Sequence, residues 1–183
     1  MIIDEEDLIK QQIFCLGENP KREGLVDTPK RVVKMWKEIY AGYDMKAEDL
    51  LTTFEGDGTD QIVLLKNIEL YSMCEHHMLP FFGKAHVAYL PGKKIIGISK
   101  LARLVDMHAK RLQIQERIGN DVTADLMRIL KPKGAVCIIE ATHMCMRMRG
   151  VEKQNSVMST SSMEGIFKTD YGLRNELMQL IKG

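Results

Sequence analysis

The sequence predicts an α+β fold: an antiparallel four-stranded sheet with a helix pair, preceded by a helical segment. Three observations predict it. The chain has 183 residues, and at roughly 100–200 residues per domain that allows one domain with little room for a second. The N-terminal part carries apolar residues at helical spacing. From residue 61 onward, segments rich in Ile, Val, Leu and Tyr come in two pairs on either side of two helical stretches. That order, β-β-α-α-β-β, is the pattern of hairpins flanking helices rather than of alternating βαβ units.

Taken in order, Leu8, Ile9, Ile13 and Leu16 predict a helix over 4–16, stopped at Gly17. Thr28 then serves as N-cap of a second helix, with Pro29 at its first helical position. Val32, Met35, Trp36, Ile39 and Tyr40 form its apolar face, and Arg31, Lys34 and Lys37 lie on another side. The turn-rich run Glu55-Gly-Asp-Gly-Thr59 divides an N-terminal helical segment, 1–56, from a second segment, 57–183. There, strands are expected over 61–73 and 84–90, a turn at Pro91–Lys94, and an extended piece at 95–98. Ser99 is expected to cap a helix running to about Leu112, with Leu101, Leu104, Val105 and His108 on one face. A further helix over 114–130 stops at Lys131-Pro132-Lys133-Gly134. Strands over 135–149 and 156–167 follow, and 171–182 reads as a last helix.

Composition excludes several classes. Hydrophobic residues make up 45% and charged residues 28%, as in an ordinary globular domain rather than a disordered chain. Lys plus Arg total 26 against 25 Asp plus Glu, so a general nucleic-acid binder is not expected, although a local basic pocket for a small anion is compatible. The start, MIIDEED, is acidic where a signal or transit peptide is basic. No apolar run approaches the ~18 residues of a membrane span. A cytoplasmic protein with no membrane partner is expected. Its four cysteines, Cys15, Cys74, Cys137 and Cys145, then read as thiols or metal ligands rather than disulfides.

Two constellations carry chemistry. Cys74-Glu75-His76-His77 places a thiol and an imidazole three residues apart, and His143-Met144-Cys145 supplies a second pair. If 135–149 is a strand, His143, Cys145, Arg147 and Arg149 share one face, and Thr142, Met144, Met146 and Met148 the other. Zinc takes Cys and His ligands, and a catalytic zinc keeps three protein ligands and an open position. Cys74, one histidine of the pair and Cys145 make such a set. A lone Cys or His would read as core or as a turn cap; the two clusters together point to metal. Cys15 and Cys137 sit in apolar patterns and read as core, and the thirteen Met residues as core filler.

The second constellation suits an anion. Ser99 and Lys100 stand at an expected helix N-terminus, where free N–H groups and the helix dipole attract negative charge. Arg103 lies one turn on, and Arg149 is available from the His/Cys segment. No GxxxxGK[ST] loop occurs. Gln115-Glu116 opens the second helix of the pair; Glu116 is either a favourable first-turn charge or an acceptor for two ring donors such as the N1–H and amine of guanine.

These residues, in order, resemble the GTP cyclohydrolase I family. The match runs through Asp27–Val32, then CEHH with Pro80-Phe81 and Gly83, Ala88–Pro91, Gly97–Lys100, Arg111–Gln113 with Gln115–Arg117, and His143–Met146 with Arg149-Gly150. The resemblance implies a tunnelling fold whose sheets join into a barrel in a toroidal homodecamer, with active sites between subunits. It implies that 57–183 is the catalytic domain. It also implies conversion of GTP and water to formate and 7,8-dihydroneopterin triphosphate, the entry to folate and related pterins. By position, Cys74, His77 and Cys145 would bind one Zn2+ per subunit. His76, His143 and Ser99 would handle protons. Gln115 and Glu116 would hold guanine. Ser99, Lys100, Arg103 and Arg149, with Arg31 and Lys34 from an adjoining subunit, would contact ribose or triphosphate. Two alternatives remain: a deazapurine nitrile reductase of the same fold, with Cys74 as attacking thiol and a nicotinamide cofactor, and a non-catalytic zinc scaffold with four protein ligands.

Overall fold

The computed structural model describes residues 4–183. They form two compact units, one ending at Ala41 and the other spanning Gly42–Gly183. In the first unit, α1 (Glu5–Cys15) is capped by the Asp4 carboxylate, which accepts from the amides of Glu6 and Asp7. It buries Ile9 and Ile13. α2 spans Thr28–Ile39 with Asp27 as N-cap, so Thr28 and Pro29 both lie inside the first turn, one position later than the sequence suggests. Proline is tolerated there because first-turn N–H groups have no intrahelical partner.

The second unit is built on a five-stranded sheet. After the short helix α3 (Ala47–Leu50), β1 (Thr53–Glu55) pairs antiparallel with β4 (Lys94–Ile96) in a separate two-stranded sheet. The main sheet runs β5-β2-β3-β6-β7. It comprises β2 (Val63–Cys74), β3 (Pro80–Leu90), β5 (Leu112–Gln113), β6 (Gly134–His143) and β7 (Met158–Gly165). The four long strands are antiparallel, as expected from the sequence. The fifth, β5, is a two-residue parallel addition that pairs Leu112 with Met73 and Gln113 with Cys74.

The helices α4 (Ile98–Ala109) and α5 (Gln115–Asp125) lie between the two hairpins in sequence and share a core with the sheet. Leu101, Leu104 and Val105 of α4 and Ile118 and Val122 of α5 are fully buried there with Leu70, Val87, Cys137 and Ile139. A smaller cluster joins Ala88, Leu90, Val136 and Ile138 to Phe167 and to Leu177 of the C-terminal helix α7 (Tyr171–Lys182). β6 is thus covered on both faces over Ala135–Ile139, which explains why that stretch reads as a continuous apolar run rather than an alternation.

Several boundaries differ from the sequence reading. α4 begins at Ile98 with Gly97 as N-cap, and Lys100 N–H donates to Gly97 C=O at 2.9 Å. Ser99 is therefore an exposed residue of the first turn, not the cap. The 114–130 helix is α-helical only to Asp125 and continues as a π-turn over Leu126–Leu130, closed by Lys131 in a left-handed conformation. The expected strand 135–149 ends at His143, where Met144–Arg147 form one helical turn, α6. The two-faced alternation of 142–149 does not exist.

At Gly83, paired with Ala141, β3 leaves no room for a side chain against β6. A Cβ there would stand 1.9 Å from the Glu140 carbonyl oxygen. Gly83→Ala must push the strands apart, and overpacking of this kind costs about 1–3 kcal/mol. The urea midpoint is expected to fall accordingly with the slope unchanged; an unshifted midpoint would contradict this packing.

Candidate metal centre and active site

The site gathers at one end of the sheet because strand register brings it there. β2 ends at Cys74, and the five residues to Pro80 form a tight link in which Met78 N–H donates to Cys74 C=O at 2.8 Å and Cys74 N–H to Leu79 C=O at 2.9 Å. Met78 takes a left-handed φ of 52° to make the turn. β5 clamps the same end: Glu75 N–H donates to Gln113 C=O at 3.0 Å. That places Gln115 and Glu116, in the first turn of α5, beside the Cys74 loop. On the other side, β3–β6 register sets Phe81 opposite His143, and their rings stack with centroids 4.6 Å apart and planes 4° from parallel.

Cys74, His77 and Cys145 converge so that one ligand atom from each lies within 4.8 Å of the others. The Cys74 Sγ stands 3.7 Å from His77 Nδ1 and 4.0 Å from His76 Nδ1. Cys145 reaches this point from the helical turn α6, not from an alternating strand. Burial pushes the Cys145 thiol up, and the neighbouring Cys74 sulfur adds to the shift because two thiolates repel at this distance. Two sulfurs that resist joint ionisation, with an imidazole beside them, suit a divalent cation, which would relieve the repulsion between the sulfurs. All the cysteines are free thiols. Cys137, by contrast, is fully buried between sheet and helices, and its thiol is pushed up to about 12.

A cleft of about 260 Å³ opens beside these donors, lined by Cys74, His76, His77, Gln113, Ile114, Gln115, Glu116, His143, Cys145 and Met158. Burial holds His143 below the usual histidine range, and the Glu116 carboxylate pulls the other way. Glu116 is exposed in the cleft. Gln115 is buried, and its amide bonds β6, β7 and His143. His76 and His77 are exposed, and Arg149 Nη1 lies 3.3 Å from His77 Nε2.

The remaining candidates lie elsewhere. Ser99, Lys100 and Arg103 stand on the first two turns of α4 and do not line this cleft. Arg31 and Lys34 are exposed on α2 of the N-terminal unit. Sequence reasoning assigned no role to Gln113, Ile114 or Met158, which line the cleft. It also missed the ion pair in which Arg117 Nη1 donates to Glu75 Oε2 at 2.6 Å, holding that carboxyl below its usual range. The pair ties the loop bearing Cys74 and His77 to the helix bearing Glu116. Charge opposition at residues 42 apart leaves no local signal.

Among the described residues, no helix is long and apolar enough to cross a membrane. Among solved structures, the archaeosine synthase QueF-Like in its apo form aligns with 57% of this chain and 93% of that chain, at 15% identity and a TM-score of 0.47. Sequence relatives are far nearer. GTP cyclohydrolase 1 of Wolinella succinogenes is 54% identical, over 97% of this chain and 95% of that protein. That of Methylococcus capsulatus is 50% identical, over 96% of each. That of Gloeobacter violaceus is 49% identical, over 96% of this chain and 82% of that protein. The family model described as GTP cyclohydrolase I matches residues 5–182. Site geometry, relatives and whole-chain match agree: this chain belongs to the GTP cyclohydrolase I family of enzymes.

Proposed function

We propose that this chain hydrolyses GTP at C8 of guanine, in a zinc-dependent reaction giving formate and 7,8-dihydroneopterin triphosphate. The observation that carries the reading is the convergence of Cys74, His77 and Cys145 in one cleft with His143 and Glu116. Three donors, rather than four, favour an open coordination position over a closed structural site. A role for Cys145 beside Cys74 also favours a metal centre over a lone attacking thiol. Cys74, His77 and Cys145 would hold zinc there, and the ion would supply Lewis acidity enough to ionise water near neutral pH.

The chain's own residues divide the remaining work. Glu116 accepts from guanine N1–H and the exocyclic amine and so sets the ring in the cleft. His143 delivers a proton to N7, which makes C8 more electrophilic; positioned acid–base groups contribute about 10²–10⁴-fold. After formate leaves, the ribose opens, rearranges and closes onto the freed amine. His76 and Ser99 carry protons in those steps. Lys100, Arg103 and Arg149, with Arg31 and Lys34 of an adjoining subunit, hold the triphosphate, whose remote binding energy positions the ring. Assembly into a homodecamer with sites between subunits accounts for Ser99, Lys100 and Arg103 lying outside the cleft of their own chain. In this reading residues 57–183 are the catalytic domain, and the protein works in the cytoplasm.

Incubation with GTP should release formate and leave a pterin that fluoresces after oxidation. A chelator should stop both, and added zinc should restore them. Turnover that survives complete metal removal would refute the zinc dependence, and the absence of formate from the zinc-loaded protein would refute the reaction.

A further inference from the structure

The Gln115 side chain is committed at both ends inside the protein. Its Nε2 lies 3.0 Å from Ile139 C=O, 3.0 Å from Met158 C=O and 3.1 Å from Thr160 Oγ1. Backbone carbonyls only accept, so the amide nitrogen must stand on that side, facing β6 and β7. The reversed amide would set an acceptor against two carbonyl acceptors, one of them buried. The orientation of the amide is thus fixed by chemistry rather than by choice of atom label. Oε1 is left facing His143 Nε2 at 2.9 Å. A carbonyl oxygen only accepts, so His143 Nε2 must carry the hydrogen. In the neutral ring the lone pair then sits on Nδ1.

We infer that Gln115 is a positioning residue that holds His143 in its Nε2–H tautomer and makes Nδ1 the nitrogen that takes up and delivers the proton. It does so in place of reading the guanine with its side chain. Two contacts at right angles complete the clamp. The Phe81 ring stacked on His143 sets the plane of the imidazole, and Oε1 of Gln115 sets its rotation within that plane. Gln115 is itself 1% exposed and anchored to the backbone of two adjacent strands, so the tautomer is held by the sheet rather than by a mobile loop. Its position next to Glu116 gives the two residues separate tasks, Glu116 toward the substrate and Gln115 toward the acid. The kinetic consequence rests on the GTP chemistry proposed above; the tautomer does not.

Two measurements test it. Solid-state ¹⁵N spectra of histidine-labelled, zinc-loaded wild-type protein, at a pH where imidazoles are neutral and with His143 assigned by difference against His143→Ala, should show Nε2–H. An Nδ1–H tautomer overturns the inference, and this arm needs no Gln115 variant to fold. Gln115→Met keeps length and removes both hydrogen-bonding ends. In it, kcat for GTP should fall about tenfold or more, within the range that acid–base catalysis contributes, while KM stays within about threefold and zinc content is unchanged. A KM that rises by a larger factor than kcat falls would place Gln115 on the guanine and overturn the inference. Wild-type protein without GTP turnover would refute the proposed function and leave the ¹⁵N spectrum to decide the tautomer.

Discussion

Cys145→Ser is expected to abolish stoichiometric zinc binding and, with it, formate release. The three candidate ligand atoms lie within 4.8 Å of one another, and a bound cation would reconcile the two sulfurs. A serine hydroxyl does not ionise near neutral pH and is a poor zinc donor, so the variant keeps two protein ligands. Changes to partners one shell further out already cost about 10–100-fold in metal affinity, so direct loss of a ligand should exceed about 100-fold. The fold should survive, because Cys145 is only partly buried at the margin of the core and serine nearly matches its volume. Metal analysis after gel filtration, paired with a formate assay and a melting curve, separates the effects. Cys137→Ser is the contrast: that sulfur is fully buried among apolar side chains, so the change should lower stability and leave zinc content intact. Full zinc occupancy with normal turnover in Cys145→Ser would remove Cys145 from the ligand set.

Much of this site was readable from residue order, and the parts that were not have identifiable causes. CEHH was visible because a thiol and two imidazoles in four residues are improbable as core, and its placement at the end of a strand followed from the apolar run before it. The meeting of Cys74 with Cys145 comes about by a different path from the one the sequence pattern predicts. Alternation along a strand predicts Cys145 on the face of His143, but the strand ends at His143 and a helical turn delivers the sulfur instead. Met-Cys-Met-Arg contains neither Gly nor Pro to mark where the strand stops, and the helix propensity of its Met and Arg residues is too weak a signal over four residues to override an apolar run. The two-residue strand β5 is too short for any periodicity to reveal, yet it fixes Glu116 beside the Cys74 loop. Gly and Ser are both N-cap residue types, and Gly97, directly after β4, takes the position in extended conformation. The family resemblance puts Gln115 on guanine beside Glu116, and nothing local to the sequence signals its buried hydrogen bonds, which depend on residues 24 to 45 positions away.

Glu116→Gln is expected to lower kcat/KM for GTP by about 10²–10⁴-fold and to erase most of the preference for GTP over ITP. Glu116 is exposed at the cleft, in the first turn of α5, and no protein hydrogen bond or ion pair to its carboxylate is found among the described residues. If it were only a helix-dipole charge, its loss would cost about 0.3–1 kcal/mol of stability and nothing in specificity. As a guanine acceptor it offers two charge-assisted bonds, each worth about 1.5–3 kcal/mol. Glutamine turns one of the two acceptors into a donor facing the exocyclic amine, so one bond is lost and a donor–donor contact replaces it. Sites built around such hydrogen bonds discriminate by about 10⁴–10⁵-fold against a substrate lacking the group. ITP has no amine, so it escapes the new repulsion and should lose far less than GTP in the variant. The amide also removes the charge that pulls upward on the proton affinity of His143, so the His143 pKa should fall further, and the limb on which kcat falls with rising pH should move to lower pH. A dipole-only role predicts an unchanged GTP/ITP ratio with a small drop in melting temperature, and that pair of results would take Glu116 out of the recognition site.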